Sequence, residues 1–148
     1  MTSVNPVDVL NRLIVLHNRS LAMYLRYASP TWLRGDEQAR QVLQQIGEDH
    51  QQTVDRLGEM VVDLDGAVNF GGFSMTFTSY HDLSFAFLLQ RLIEGQRKII
   101  STAEECARQL EAFPMARALA EESLGAAKAH LDLLEELGSS KPKVVTGA

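Results

Sequence analysis

Three histidines and a glutamine, His17, His50, His130 and Gln96, interrupt rows of apolar side chains at helical spacing. Imidazole can ligate a transition metal, carry a proton near neutral pH or join a hydrogen-bond network. The row around His17 reads Leu10, Leu13, His17, Leu21, Tyr24 and Ala28. His50 lies among Val42, Leu43, Ile46, Val54, Leu57, Val61 and Leu64, with Thr53 one turn away. Gln96 sits in the row Phe85, Leu89, Leu92, Ile99, Ala103, Cys106 and Leu110, and His130 in the row Leu119, Ser123, Ala126, Leu133 and Leu137. Each polar residue falls near the middle of its row or faces inward beside it, so four helices would each bring one polar side chain to a common level. Burying imidazoles without partners is costly. Three at one level need either a shared hydrogen-bond network or a cation, and the sequence leaves both open. Nucleophilic chemistry has little support, because Cys106 lies on an apolar row, Ser20 and Ser123 have no neighbouring acid–histidine pair, and no glycine-rich phosphate loop is present. The fourth histidine, His81, is expected at the surface.

Four long helices must position these rows. The first opens on Asn5, Pro6 and Asp8, an N-cap, a first-turn proline and a first-turn acid, and is predicted to run to Ser29, where Pro30 stops it. The second follows Gly35 and Asp36 and runs to Gly66; the third begins near Asp82; the fourth spans Pro114 to Gly138. Between the second and third, residues 67–81 carry Phe70, Phe73, Phe77 and Tyr80 among glycines, serines and threonines. About 14 extended residues reach roughly 45 Å, close to the length of a long helix. The segment can therefore return the chain to the other end of the bundle and lay its aromatics across the surface. Short links elsewhere make their helix pairs antiparallel, giving an all-α, up-down-down-up bundle over residues 1–138, followed by a disordered tail over 139–148.

With 148 residues the chain makes one domain. Nineteen acidic against fourteen basic side chains, a formal charge of -5, argue against nucleic acid as a partner. No apolar run approaches the roughly 20 residues that span a bilayer. No signal-peptide order opens the chain, and a single cysteine suits a reducing compartment, so a cytoplasmic protein is expected.

Leu10-Asn11-Arg12-Leu13 followed by Leu21, Ala22 and Tyr24, the run before Gly66, and Ala127-Lys128-Ala129-His130-Leu131-Asp132-Leu133-Leu134-Glu135 together resemble the ferritin-like di-iron carboxylate superfamily, most closely its bacterioferritin branch. The resemblance covers nearly the whole chain up to Gly138 and implies the ferritin-like four-helix bundle. It aligns the family's first-helix glutamate with His17, its second-helix Glu-x-x-His pair with His50 and Thr53, and its third-helix glutamate with Gln96, or with Glu94 under another gap placement. In the last helix it keeps the histidine, His130, and replaces the glutamate by Ala127. Two ferric ions about 3.5 to 4 Å apart need anionic bridges that imidazole and amide do not supply. The haem-binding methionine of the family falls on Gln51, so no haem is expected.

Three functions follow as expectations. The first is a metal-binding protein with His17, His50 and His130 as ligands and Gln96 or water completing the set, a donor set suited to zinc, copper or nickel rather than ferric iron. The second is a structural or partner-binding bundle with a hydrogen-bonded polar layer. The third, iron storage and oxidation, requires Glu48, Asp49, Glu94 or Glu122 to turn inward, whereas all four are expected as solvated surface charges. A homodimer is expected, with a higher assembly open, because Val9, Leu16, Met23 and Tyr27 form an apolar flank beside the inward row of the first helix and the family pairs through its first two helices.

Overall fold

The computed structural model describes residues 4–80 and 83–139, most of which are helical, with no strand among them. The helices are α1 (Pro6–Asn18), α2 (Leu21–Tyr24), α3 (Glu37–Asp63), α4 (Phe85–Gln109) and α5 (Pro114–Ser139). His81 and the greater part of the expected tail, 140–148, lie outside the described residues, and Ser139 belongs to α5.

The expected first helix is in fact two. Asn5 caps α1 as expected, its side chain accepting the Val7 N–H at 3.0 Å. The helix ends at Asn18 without glycine or proline. Ser20 takes an extended conformation and its hydroxyl accepts the Met23 N–H at 3.3 Å, starting the single turn of α2. A serine offering its own oxygen to the backbone is a local alternative to the helical ladder, and it leaves no trace in hydrophobic periodicity. Arg19, released at the break, donates through Nε to the carbonyls of Phe70 and Gly71, each at 2.9 Å. The third predicted helix likewise starts later, at Phe85, with Ser84 in the capping position.

After α3, residues 67–71 are tied along α1. Asn11 donates to the Ala67 carbonyl and accepts the Asn69 N–H, and Gly71, at φ +68°, comes so close that a Cβ there would sit 2.7 Å from Val15. Phe73 and Phe77 then pack on Tyr24 at ring-centroid distances of 5.2 and 5.4 Å.

Packing divides the core in two. One cluster gathers Leu10, Leu13, Leu57, Val61 and Leu110; the other gathers Leu21, Leu43, Ile46, Leu88 and Leu134. Buried His17, His50, Gln96, Ser123 and His130 occupy the intervening level on the helices. On α5 the buried row is Ala116, Ala120, Ser123, Ala127, His130 and Leu134, while Leu119, Ala126, Leu133 and Leu137 are half-buried. The small alanines face inward and the leucines flank the contact. The apolar flank expected on helix one does not form: Val9 and Met23 are buried within the chain, Leu16 packs against the first cluster, and only Tyr27 is well exposed. No described helix is long and apolar enough to cross a membrane.

Candidate functional site

The three histidines come from α1, α3 and α5 and are 2%, 1% and 4% exposed. His17 Nδ1 lies 3.0 Å from His50 Nδ1, and the His50 ring centroid is 5.4 Å from that of His130. Two neutral imidazoles that share a hydrogen bond through like nitrogens must hold opposite tautomers, one donating and one accepting. His130 Nε2 is 2.9 Å from Asp49 Oδ2. A carboxylate only accepts, so the proton sits on Nε2 and the lone pair on Nδ1.

This leaves three buried nitrogens, His17 Nε2, His50 Nε2 and His130 Nδ1, with no partner among the described residues. By the tautomers above, two are lone pairs and one is an N–H. Burial holds His17 down to about 4, with His130 adding a smaller push, and holds His50 well below its ordinary value, with the two neighbouring histidines adding to the effect. Both rings are neutral near pH 7.

Gln96 is buried at the same level, and its Nε2 donates to the Ala127 carbonyl at 2.9 Å. It joins α4 to α5 across the layer. Ser123 is occupied by the Ala120 carbonyl at 2.8 Å. Thr53 is half-buried and lines a polar cleft of about 300 Å³ between α3 and α5, which also holds Asp49, Gln52, Arg56 and Glu122. Asp49 therefore has one face on this cleft and a hydrogen bond to a buried imidazole.

The expectation that all four helix acids are solvated surface charges fails at Asp49. Glu48 is exposed, Glu94 pairs with Arg91 at 3.1 Å, and Glu122 pairs with Arg56 across the cleft. Asp49, one residue before His50 and about 100° around the helix, instead leans toward α5. The signal available was that His130 needs a partner for its second nitrogen. Of Glu94 and Gln96, Gln96 is the one buried at the layer and Glu94 is exposed. Among the described residues, no three His, Cys, Asp or Glu side chains are arranged as a metal-ligand group. No protein-family model matches the chain, and no curated protein matches it.

Proposed function

We propose that the chain is a ferritin-like four-helix bundle, up-down-down-up, whose imidazole layer binds one divalent transition-metal ion, with zinc, copper or nickel preferred over iron. The topology is supported by contacts that pair the helices end to end: Val7 with Gly66, Asp49 with His130 and Arg56 with Glu122, Gln96 with Ala127 and Leu89 with Gly138, and Arg12 with Glu105. In the α3–α5 and α4–α5 pairs, numbers that rise along one helix meet numbers that fall along the other.

The observation that carries the metal reading is the set of three unpartnered buried nitrogens at one level. Each orphaned polar atom costs about 1 to 3 kcal/mol. A cation accepting the two lone pairs among them would offset that cost at two of the three, and a tautomer change would free the third to ligate. Ligation needs neutral imidazole, and burial already keeps His17 and His50 in that form. Asp49 on the far nitrogen of His130 is the kind of outer partner that orients a ligating imidazole. Gln96, its amide nitrogen engaged by the Ala127 carbonyl, would complete the set through its Oε1.

A di-iron centre does not fit these residues. His17, His50, Thr53, Gln96 and Ala127 bring no carboxylate to the level, and Asp49 is held by His130. Gln51, at the haem-ligand position, is exposed and bonded to Asp55. A metal-free structural bundle is the competing reading, favoured by the absence of a ready ligand group and by the two hydrogen bonds already made. The homodimer and the cytoplasmic setting remain part of the proposal; a sedimentation measurement at tens of micromolar tests the first, and the buried lone Cys106 suits the second.

Titration with zinc, copper and nickel decides between the readings. At a hundred times its dissociation constant, a metal that binds only the folded chain raises stability by about 2.7 kcal/mol. His50→Ala should remove most of that gain while the bundle stays helical. A melting temperature indifferent to all three metals, with His50→Ala much less stable in their absence, would establish the structural layer instead.

A further inference from the structure

A second cavity, of about 550 Å³, opens between α1, α2, residues 72–80 and α4, with Gln96 in its lining. Its size falls in the range of small-molecule sites, roughly 300 to 1,000 Å³. Leu16, Phe77, Leu92 and Ile99 give it apolar walls, and most of its lining surface is apolar.

Two local departures from regular structure meet there. One is the break at Arg19 and Ser20 between α1 and α2, both residues of which line the cavity. The other is Gly95, in the middle of α4, where helix interiors disfavour glycine by about 1 kcal/mol relative to alanine. Close packing does not demand it: an added Cβ would meet nothing within 4 Å. Its effect is to leave the cavity wall open.

The charge at the mouth is unlike that of the whole chain. Arg19, Arg91 and Lys98 line it against one carboxylate, Glu94, in a protein of net charge -5. Glu94 is engaged by Arg91 at 3.1 Å, Arg19 is held by neutral carbonyls and the Phe73 ring, and Lys98 forms no salt bridge among the described residues. Two cationic charges are thus left without a carboxylate beside an apolar hollow.

We infer that this cavity binds a single-chain amphipathic carboxylate, its apolar body between α1 and α4 and its carboxylate at Arg19 and Lys98. The inference is independent of any metal in the imidazole layer. The occupant is a free molecule, since the cavity is a hollow of ligand size rather than a flat face.

Calorimetric titration of the intact protein with decanoate, below its micelle concentration, tests this. Saturable one-to-one binding is expected for the wild type. Lys98→Glu should weaken it by about tenfold. Gly95→Leu should abolish it without lowering the melting temperature, because the helix gains a better former and the new side chain enters open space. Gly95→Ala, which adds one methyl to the same wall, should weaken binding less and covers the case in which leucine perturbs the fold. Equal affinity for 1-decanol would overturn the carboxylate assignment. Unchanged binding in Lys98→Glu and Gly95→Leu would overturn the cavity, as would absence of decanoate binding, and so would sedimentation with phosphatidylglycerol vesicles in place of binding free decanoate.

Discussion

His17 meets His50 from α3 and, further off, His130 from α5, and the nearest carboxylate to the layer, Asp49, bonds the far ring. Nothing on α1, α3 or α5 at this level stabilises a charge on His17. In the unfolded chain the same residue titrates near 6.5, against about 4 in the folded protein. Because the folded value is depressed, between those limits the unfolded state binds a proton that the folded state refuses. Stability from this source is complete above about pH 6.5, declines as the pH falls and levels off near 4, a loss on the order of 3 kcal/mol, with His50 adding to it in the same direction. Urea midpoints taken at about pH 7.5, 6 and 5 should fall steadily at constant slope; a midpoint that stays put over that range means the rings are not held neutral. Asp49 gives a second expectation. In Asp49→Asn the charge that fixes the His130 tautomer is gone, so metal affinity should fall by about 10- to 100-fold with helicity unchanged, and an unaltered zinc isotherm would show that Asp49 plays no part in orienting the ring. The histidines were legible from spacing alone, because a polar residue in an apolar row must be buried if the row is. Asp49 was not, since a helix position 100° off the buried row reads as surface until the neighbouring helix is in place.

At the level of elements, α3 and α5 match the predicted spans closely, each being an uninterrupted apolar period with a clear stop. The break between α1 and α2 was invisible for the converse reason: the apolar row from Leu10 to Tyr24 keeps its spacing straight through it, and what stops the helix is a serine hydroxyl and an arginine drawn to a connection more than fifty residues later in the chain. Long-range capture of this kind has no local signature. It does make the connection sensitive to its closest approach to α1. Gly71 combines φ +68° with a Cβ position 2.7 Å from Val15, so Gly71→Ala should cost about 2 kcal/mol or more, from the left-handed backbone and the forced shift of Val15 together. On a chain of this size that lowers the melting temperature by several degrees. An alanine variant that melts with the wild type would show that the connection is not held against α1 as described.

Across the whole molecule, the two apolar clusters are separated by a level at which the helices carry His17, His50, Gln96 and His130. A chain selected only for stability gains nothing from this. Leucine is close to histidine in volume, and replacing a buried, partly satisfied polar group by a well-packed hydrophobe is often neutral or stabilising by about 1 to 4 kcal/mol. Here the polar set is only partly satisfied, since three ring nitrogens lack partners while the His17–His50 and His130–Asp49 bonds are made. Converting His17, His50 and His130 together to leucine removes all three orphans, each worth about 1 to 3 kcal/mol, and gives up two hydrogen bonds of about 1 kcal/mol each, the one to Asp49 being partly open to solvent. It also joins the two clusters into one continuous core. The triple variant should therefore be more stable than the metal-free wild type by a few kcal/mol, should lose the stability decline between about pH 6.5 and 4, and should not respond to zinc, copper or nickel. Changing the three together matters, because a single leucine at 17 or 50 would leave the other imidazole facing a hydrocarbon and would register that loss instead. Chemical denaturation of the two proteins side by side reads all three outcomes. If the triple variant is instead markedly less stable than the wild type, or fails to fold as a helical bundle, the imidazoles are a structural network on which the fold depends, and the case for a layer retained to bind metal is lost.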